Sequence, residues 1–290
     1  MSDTLFIHKA LAKRAFERAA VDYDSAAVLQ REVNQRLLER LDYINFTPEA
    51  ILDVGAGTGF ATYHLYQRFT AANITALDLA YSMLTVCRSR ASFWQRMKRR
   101  LRYVNAEAEA LPFADNSFDM VYSNLTLQWV NDLAGALQEF RRVLKPGGML
   151  LFSTFGPDTL KELRDSWQQV DGYSHVNHFL DMHDIGDAML QTKLAEPVTD
   201  MENFTLTYPD IYQLMRELKT IGAHNVTSAR QKGLTGKSTF KKLEQAYESF
   251  RQDSVLPASY EVIYGHAWSP LNKLDSDTAV HVSLDSIKSP

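Results

Sequence analysis

One cysteine, Cys87, is all that the 290 residues contain, so no disulfide can form within the chain. A reducing compartment fits that scarcity. No run approaches the ~18 apolar residues that a membrane-spanning helix needs. The N-terminal MSDTLFIHKALAKRAF has neither a long apolar core nor a small-residue cleavage site. The expected setting is therefore the cytoplasm, with no signal peptide and no membrane partner. Excess charge of either sign is missing too. A net charge of -4 excludes a chain that binds polyanions as a whole, so any basic patch must be local. Neither an internal repeat nor a low-complexity block is found. What is there is 45% hydrophobic and 23% charged, the balance of a globular protein. The length allows one large core, or one domain with a sizeable insertion.

Residues 9–44 read as helical, with Val33, Leu37, Leu38, Leu41 and Ile44 at spacings of three and four, and the pattern breaks at Pro48. AILDVG reads as a short buried strand, GFATYHLYQRF as a helix, NITALDLA as a strand ending in Asp78, and SMLTVCRSRASFWQRMKRRL as a helix. RYVNAEAEALPF reads as a strand and a loop, SFDMVYSNL as a strand, DLAGALQEFRRVL as a helix, KPGG as a turn and MLLFSTF as a buried strand. Such alternation predicts an α/β fold: a doubly wound, mostly parallel sheet with helices on both faces. Its ligand is expected at the carboxyl ends of the first strands. After Phe155 the alternation loosens. DIGDAMLQTKL reads as a helix, PVTDMENFTLTY as a strand, 210–250 as helical and basic, and SYEVIYGHAW as a last strand. The polar tail Leu271 to Pro290 is expected to be mobile. The expected division is a helical cap over 1–46, a ligand-binding core over 47–156, and completion of the core over 157–270. The last part carries lid insertions at 157–180 and 210–255, which would exclude water from the site.

The chemistry starts at ILDVGAGTGF. Gly55, Gly57 and Gly59 let the backbone turn off the strand and let a ligand approach without side chains in the way. Asp53 can hold the loop through backbone N–H groups or face a cationic ligand. G-x-G-x-G is one residue short of the G-x-G-x-x-G dinucleotide fingerprint, and no lysine follows to neutralise a triphosphate. Asp78 ends the next strand, where an acid can take two ribose hydroxyls and disfavours a 2′-phosphate.

At this point a resemblance enters. LDVGAGTG, ALDLAYSML, AEALPFADNSFDMVYSN and EFRRVLKPGG, in this order, resemble the motifs of class I S-adenosylmethionine methyltransferases. That family implies a seven-stranded Rossmann-like fold, S-adenosylmethionine as methyl donor and S-adenosylhomocysteine as product. By resemblance the loop of Gly55, Ala56, Gly57 and Gly59 faces the methionine end, and Asp78 with Leu79 takes the ribose. Met83 lies along the adenine, and Ala106 and Glu107 hold its edge. Many members carry Asp where Glu107 stands. Asn124 and Leu125 face the sulfonium and its methyl group.

A hydroxyl or amide acceptor needs a general base, whereas a carboxylate is already ionised at neutral pH. After the fourth strand NLTLQWVND offers no obvious base; Gln128 and Trp129 supply a hydrogen bond and an apolar wall, which suits an anionic acceptor. FERAAVDYDSAAVLQREV, SNLTLQWVND, FSTFGPDTLKELRDSW, VDGYSHVNHFLDMHDIGDAM, PVTDMENFTLTY, LKTIGAHN and LPASYEVIYGHAW are similar to the malonyl-acyl-carrier-protein O-methyltransferases of biotin synthesis. The likeness runs from about Phe16 to Trp268. It implies methylation of the free carboxylate of a malonyl thioester on acyl carrier protein, with Tyr23 closing over the donor. Alternatives are a carboxyl methyltransferase on a small free acid such as trans-aconitate, or a related fold that transfers no methyl group, an assembly factor or a hydroxylase.

A malonyl carboxylate suits an arginine, which can hold it bidentately. Candidates on the lid are Arg164, Arg216 and Arg230, of which Arg230 is preferred because ARQKGLTG reads as a turn facing the pocket. An acidic carrier protein calls for a basic docking patch. Arg96, Lys98, Arg99, Arg100 and Arg102 form one cluster; Arg230, Lys232, Lys237, Lys241 and Lys242 form another, nearer the lid. A single aromatic, Phe240, falls within them, so nucleic acid is not the expected partner. His175, His178 and His183 lack metal-site spacing and cysteine partners, so no metal is expected. His266 lies on the last strand within possible reach of the pocket. The chain is expected to act as a monomer.

Overall fold

The computed structural model describes residues 6–223, 225–227 and 236–272. Among them seven strands form one sheet: β1 (Ala50–Val54), β2 (Asn73–Asp78), β3 (Leu101–Asn105), β4 (Phe118–Asn124), β5 (Leu144–Phe155), β6 (Ala195–Tyr208) and β7 (Leu256–Trp268). Their spatial order is β3-β2-β1-β4-β5-β7-β6. The first five strands run parallel. β7 slots between β5 and β6, antiparallel to both. Strand order reverses beside β1, so a crevice opens at the carboxyl ends of β1 and β4, where such sheets hold their ligands.

The helices are α1 (Lys9–Ala19), α2 (Tyr23–Ala26), α3 (Val28–Glu39), α4 (Phe60–Arg68), α5 (Tyr81–Ser89), α6 (Phe93–Met97), α7 (Leu133–Val143), α8 (Lys161–Gln168), α9 (Met182–Gln191), α10 (Ile211–Thr220) and α11 (Lys237–Glu248). Side chains alternate across a strand, and here both sides are apolar. Ile51, Met120, Tyr122 and Leu151 join one core with Val33 and Leu37 of α3 and Leu65 of α4. Their neighbours Leu52, Val121, Leu150 and Phe152 join a second core with Leu137 and Phe140 of α7 and Met189 of α9. Two buried faces require continuous apolar runs, the pattern that made β1 and β5 legible as strands. The expected lid shares the first core through Leu163 and Trp167 of α8, Leu214 and Leu218 of α10, and Leu243 and Tyr247 of α11. It is therefore packed as part of the domain.

Three expectations are corrected. The helix over 9–44 is α1, α2, α3 and a 3-10 turn at Arg40–Tyr43. The chain bends between α1 and α3 because Asp24 is drawn to the glycine loop, where it accepts the Thr58 hydroxyl at 2.7 Å. The helix expected from Ser82 onward stops at Ser89, and Ser92 starts α6 through a reciprocal cap with Gln95. KPGG lies within β5 as an irregular stretch: the pairing steps from Phe118↔Leu144 to Met120↔Met149. The tail beyond Asn272 falls outside the described residues.

Candidate active site

The glycine loop hangs on the end of β2. The N–H groups of Gly55 and Ala56 both donate to the Leu77 carbonyl, at 2.8 and 2.9 Å. Gly57 N–H donates to Asp78 Oδ2 at 2.9 Å and Ala80 N–H to Asp78 Oδ1 at 2.7 Å. Asp78 thus pins the loop and the start of α5 at once. Each of its oxygens keeps a lone pair for a ligand hydroxyl. Gly55 has φ +74°, and a Cβ there would stand 1.9 Å from Thr126 Oγ1. Gly57 has φ +54°, and a Cβ there would meet nothing nearer than 4.0 Å, so it borders open space that a ligand can fill. This cradle and acid fit the ribose and methionine end of the expected donor.

Burial pushes the Asp78 carboxyl up to about 6, against the pull of the Ala80 and Gly57 N–H groups. Burial likewise pushes Asp53 up to about 7. Asp53 does not reach the cavity; it accepts the Thr62 hydroxyl at 2.5 Å and so fastens α4 behind the loop. Ala56 and Gly59 also lie off the cavity wall, as does Ala106, whose N–H donates to the Asp78 carbonyl at 3.2 Å. Gly55, Gly57, Asp78, Leu79, Met83, Glu107, Asn124 and Leu125 all line it, with Tyr23, Gln128 and Trp129.

The N-terminal cap is tied over this cavity. Glu17 of α1 accepts the N–H groups of Tyr81 and Ser82 at 2.7 and 2.8 Å, capping α5 from outside. Lys9 forms ion pairs with Glu107 and Glu109. Asn131 and Ile7 exchange two hydrogen bonds, at 2.8 and 3.1 Å. Tyr23 packs with Ala19, Ala20, Ala80 and Met83. Burial, then the nearby Asp78 charge, raises its phenol pKa, so the hydroxyl stays protonated and can donate. Lys9, Phe16 and Gln30 line the cavity but were not expected to. A local signal exists for Gln30: together with Asn34 it puts polar groups on the buried stripe of α3 formed by Leu29, Val33, Leu37 and Leu38.

Beyond β4 the backbone is strained. Leu125 has φ +49°, unusual for a branched residue, and is held there by Ser153, whose hydroxyl and carbonyl take its N–H at 3.0 and 3.1 Å. The turn at Leu127–Trp129 follows, with Trp129 edge-on to Phe16 at 5.1 Å.

A second cavity, about 910 Å³, lies under α8, α10 and α11. Leu160, Leu163, Trp167, Val176, Phe179 and Tyr260 give it buried apolar walls. His175 lines it too, stacked on Trp167 at 3.5 Å with Nε2 2.8 Å from Asp171 Oδ1. Its lysine and arginine lining is Arg18, Arg216 and Lys219, all exposed at the rim. Of the expected carboxylate-binding arginines, Arg216 is at this rim. Arg164 instead donates to the Pro157 carbonyl at 2.8 Å and lines neither cavity. Arg230 and Lys232 fall outside the described residues. Lys237, Lys241 and Lys242 stand exposed on α11, whose Phe240 lines the chamber. The Arg96 to Arg102 cluster leads into the amino end of β3, across the sheet from the site. Of the three histidines, His178 lines a side pocket, and His183 is exposed on α9. No group of three metal-binding side chains occurs among the described residues. His266 is half-buried in β7 between Leu151 and Val198, lines neither cavity, and has its pKa lowered by burial.

A family model described as a methyltransferase domain matches residues 52–152. The malonyl-acyl-carrier-protein O-methyltransferase of Gallionella capsiferriformans is 51% identical over 275 residues, 94% of this chain and 95% of the relative. That of Nitrosospira multiformis is 48% identical over 295 residues, 97% and 96% of the two chains. Among solved structures, phosphoethanolamine N-methyltransferase 2 of Haemonchus contortus in complex with S-adenosyl-L-methionine is similar at a TM-score of 0.52 and 20% identity, over 88% of this chain and 57% of that one. The cyclase SpnF is similar at 0.54 and 17% identity, over 83% and 81%. An N-methyltransferase and a cyclase on one scaffold show that these likenesses establish the fold and leave the reaction to the site.

Proposed function

This chain belongs to the malonyl-acyl-carrier-protein O-methyltransferase family, and on that premise we propose that it methylates the free carboxylate of a malonyl thioester carried on acyl carrier protein. S-adenosylmethionine, when bound, supplies an electrophilic methyl group on a sulfonium and leaves as S-adenosylhomocysteine. Asp78 accepts the ribose hydroxyls, Gly55 and Gly57 leave room for the methionine end, and Met83 with Glu107 and Ala108 frames the base. Leu125, Tyr23 and Trp129 exclude water around the reacting carbon. The product ester is neutral, so it disguises a short diacid as a chain that fatty-acid enzymes can extend towards biotin.

The observation that carries this reading is the chamber. It is large and apolar, opens beside the donor cavity, and has its lysine and arginine side chains only at an exposed rim. A free diacid or tricarboxylate would bury a second charge there without a partner, which is costly. A thioester on a long neutral arm would not. Asn177 lines the chamber with its Oδ1 unpartnered among the described residues, and its side-chain amide suits the amides of that arm. Arg216, Lys219 and Arg18 suit the phosphate at its far end.

Supplying malonyl-carrier protein, free malonate and trans-aconitate side by side with labelled donor tests the substrate. Label is expected on the malonyl thioester; label confined to a free acid would overturn the assignment. Docking is tested separately on α11. The triple variant Lys237→Glu, Lys241→Glu, Lys242→Glu is expected to raise KM for the carrier-bound substrate about tenfold at low salt, with donor affinity unchanged. The difference should shrink as salt screens it. An unmoved KM would place the carrier protein elsewhere.

A further inference from the structure

A methyl group passing between the two cavities must cross the wall they share. Six residues line both: Gln30, Gln128, Trp129, Phe155, Ile221 and Ala223. Four are apolar, and the two polar ones are both neutral amides. Gln128 is committed. Its Nε2 donates to the Leu125 carbonyl at 2.7 Å, and its Oε1 receives the Thr154 hydroxyl at 3.4 Å. Gln30 is not committed, for its Oε1 is buried with no hydrogen-bond partner among the described residues. Its backbone is fixed, because Asn124 Nδ2 donates to the Gln30 carbonyl at 3.2 Å and α3 is packed through Leu29 and Val33. A buried amide oxygen without a partner is unfavourable, so the Gln30 amide is left uncommitted on the wall where the contents of both cavities would meet.

We propose that Gln30 holds the acceptor carboxylate in line with the methyl group, and that this carboxylate is held by a neutral amide and not by an arginine. The proposal rests on the carboxyl-methylation reading. The Gln30 Nε2 is then the donor to one carboxylate oxygen while the other attacks. The attacking oxygen forms the new bond to carbon. The carbon–sulfur bond breaks, and its electron pair goes to sulfur. Anion and cation both disappear, and no proton moves, so no general base is required. The transition state is therefore less charged than the separated ions. A guanidinium beside the carboxylate would stabilise the starting anion more than the transition state and so slow the step. A single neutral donor in an apolar wall orients the acceptor without that penalty.

The test is calorimetric titration of the S-adenosylhomocysteine-bound enzyme with malonyl-pantetheine and, separately, with its methyl ester. Gln30→Leu is expected to weaken malonyl-pantetheine binding about tenfold or more. Gln30→Glu should weaken it further, through like charge. Both should bind S-adenosylhomocysteine and the methyl ester within about twofold of the wild type, which also reports that they fold; Gln30→Asn, with its shorter reach, should fall between wild type and Gln30→Leu. Wild-type binding of malonyl-pantetheine by Gln30→Leu, or equal losses for acid and ester, would overturn the proposal. So would a larger loss in Arg164→Gln or Arg216→Gln than in Gln30→Leu, since a cation would then be the holder. A wild-type enzyme that methylates no malonyl thioester would overturn the carboxyl-methylation reading together with this one, whereas a competent wild type isolates the question of Gln30.

Discussion

Replacing Asp78 by alanine is expected to lower S-adenosylmethionine affinity at least a hundredfold, to a level that calorimetry scarcely registers. The carboxylate has two tasks: it accepts Gly57 and Ala80 N–H groups at 2.9 and 2.7 Å, and it faces the donor cavity where ribose hydroxyls would lie. Hydrogen bonds to a charged group contribute about 1.5–3 kcal/mol each, and a hundredfold in affinity is about 2.7 kcal/mol. Losing the ribose contacts alone reaches that figure, before the loop loosens. Asp78→Asn keeps one acceptor oxygen and should lose less. Unchanged affinity in Asp78→Ala would show that the ribose is held elsewhere.

The same residue sets a pH dependence. Burial raises Asp78 to about 6 and Asp53 to about 7 in the ligand-free protein. Both lie above the unfolded carboxyl value, so between these limits the folded chain holds protons that the unfolded chain releases. Stability from these groups is therefore greatest below about pH 4 and declines as pH rises through 6 and 7. In the proposed ribose contact Asp78 must be ionised to accept two hydroxyls, so donor binding near pH 6 should release protons. Calorimetry in two buffers of different ionisation enthalpy reads this directly; identical enthalpies would mean that Asp78 is already ionised.

Gly55→Ala is expected to be nearly as damaging and to act through stability as well. The backbone at φ +74° disfavours any side chain, and the new Cβ would meet Thr126 Oγ1 at 1.9 Å and Cβ at 2.8 Å. Left-handed strain of about 1–2 kcal/mol and overpacking of about 1–3 kcal/mol should together lower Tm by roughly 5 °C or more. The loop cannot shift freely, because the Gly55 and Ala56 N–H groups share the Leu77 carbonyl. Any shift carries Gly57 away from Asp78, so donor affinity should fall about a hundredfold as well. Adding Thr126→Gly removes the clash and leaves the strained φ, and should recover part of the Tm. Wild-type melting and binding in Gly55→Ala would refute this loop geometry.

How the site was read from the chain divides by distance. Gly55, Gly57 and Asp78 were legible because a strand, its turn and the acid ending the next strand form one local unit. Their meeting at one cavity follows from spacing that the parallel pairing of β1 and β2 imposes. KPGG was misread as a free turn because pairing with β4 extends β5 through it, an effect that local turn chemistry does not contain. Arg164 was drawn to the pocket on charge alone, yet the Pro157 carbonyl seven residues earlier takes its guanidinium.

The sequence by itself determined the alternating α/β order, the glycine seat and its acid, and the family. Those depend on hydrophobic period and on motifs confined to short stretches. Only the tertiary structure decided which residues form the wall between the two cavities. Gln30 meets Asn124 across 94 residues, and Ile7 meets Asn131 across 124. The end of α10 brings Ile221 and Ala223 to the same wall. These encounters follow from helices packing over the carboxyl edge of the sheet, where the burial of one apolar face against another sets the geometry. No periodicity within a segment encodes which distant segment will cover it. That is why the glycine loop could be read in one line of residues, while the glutamine on the shared wall emerged only once α3 was laid across β4.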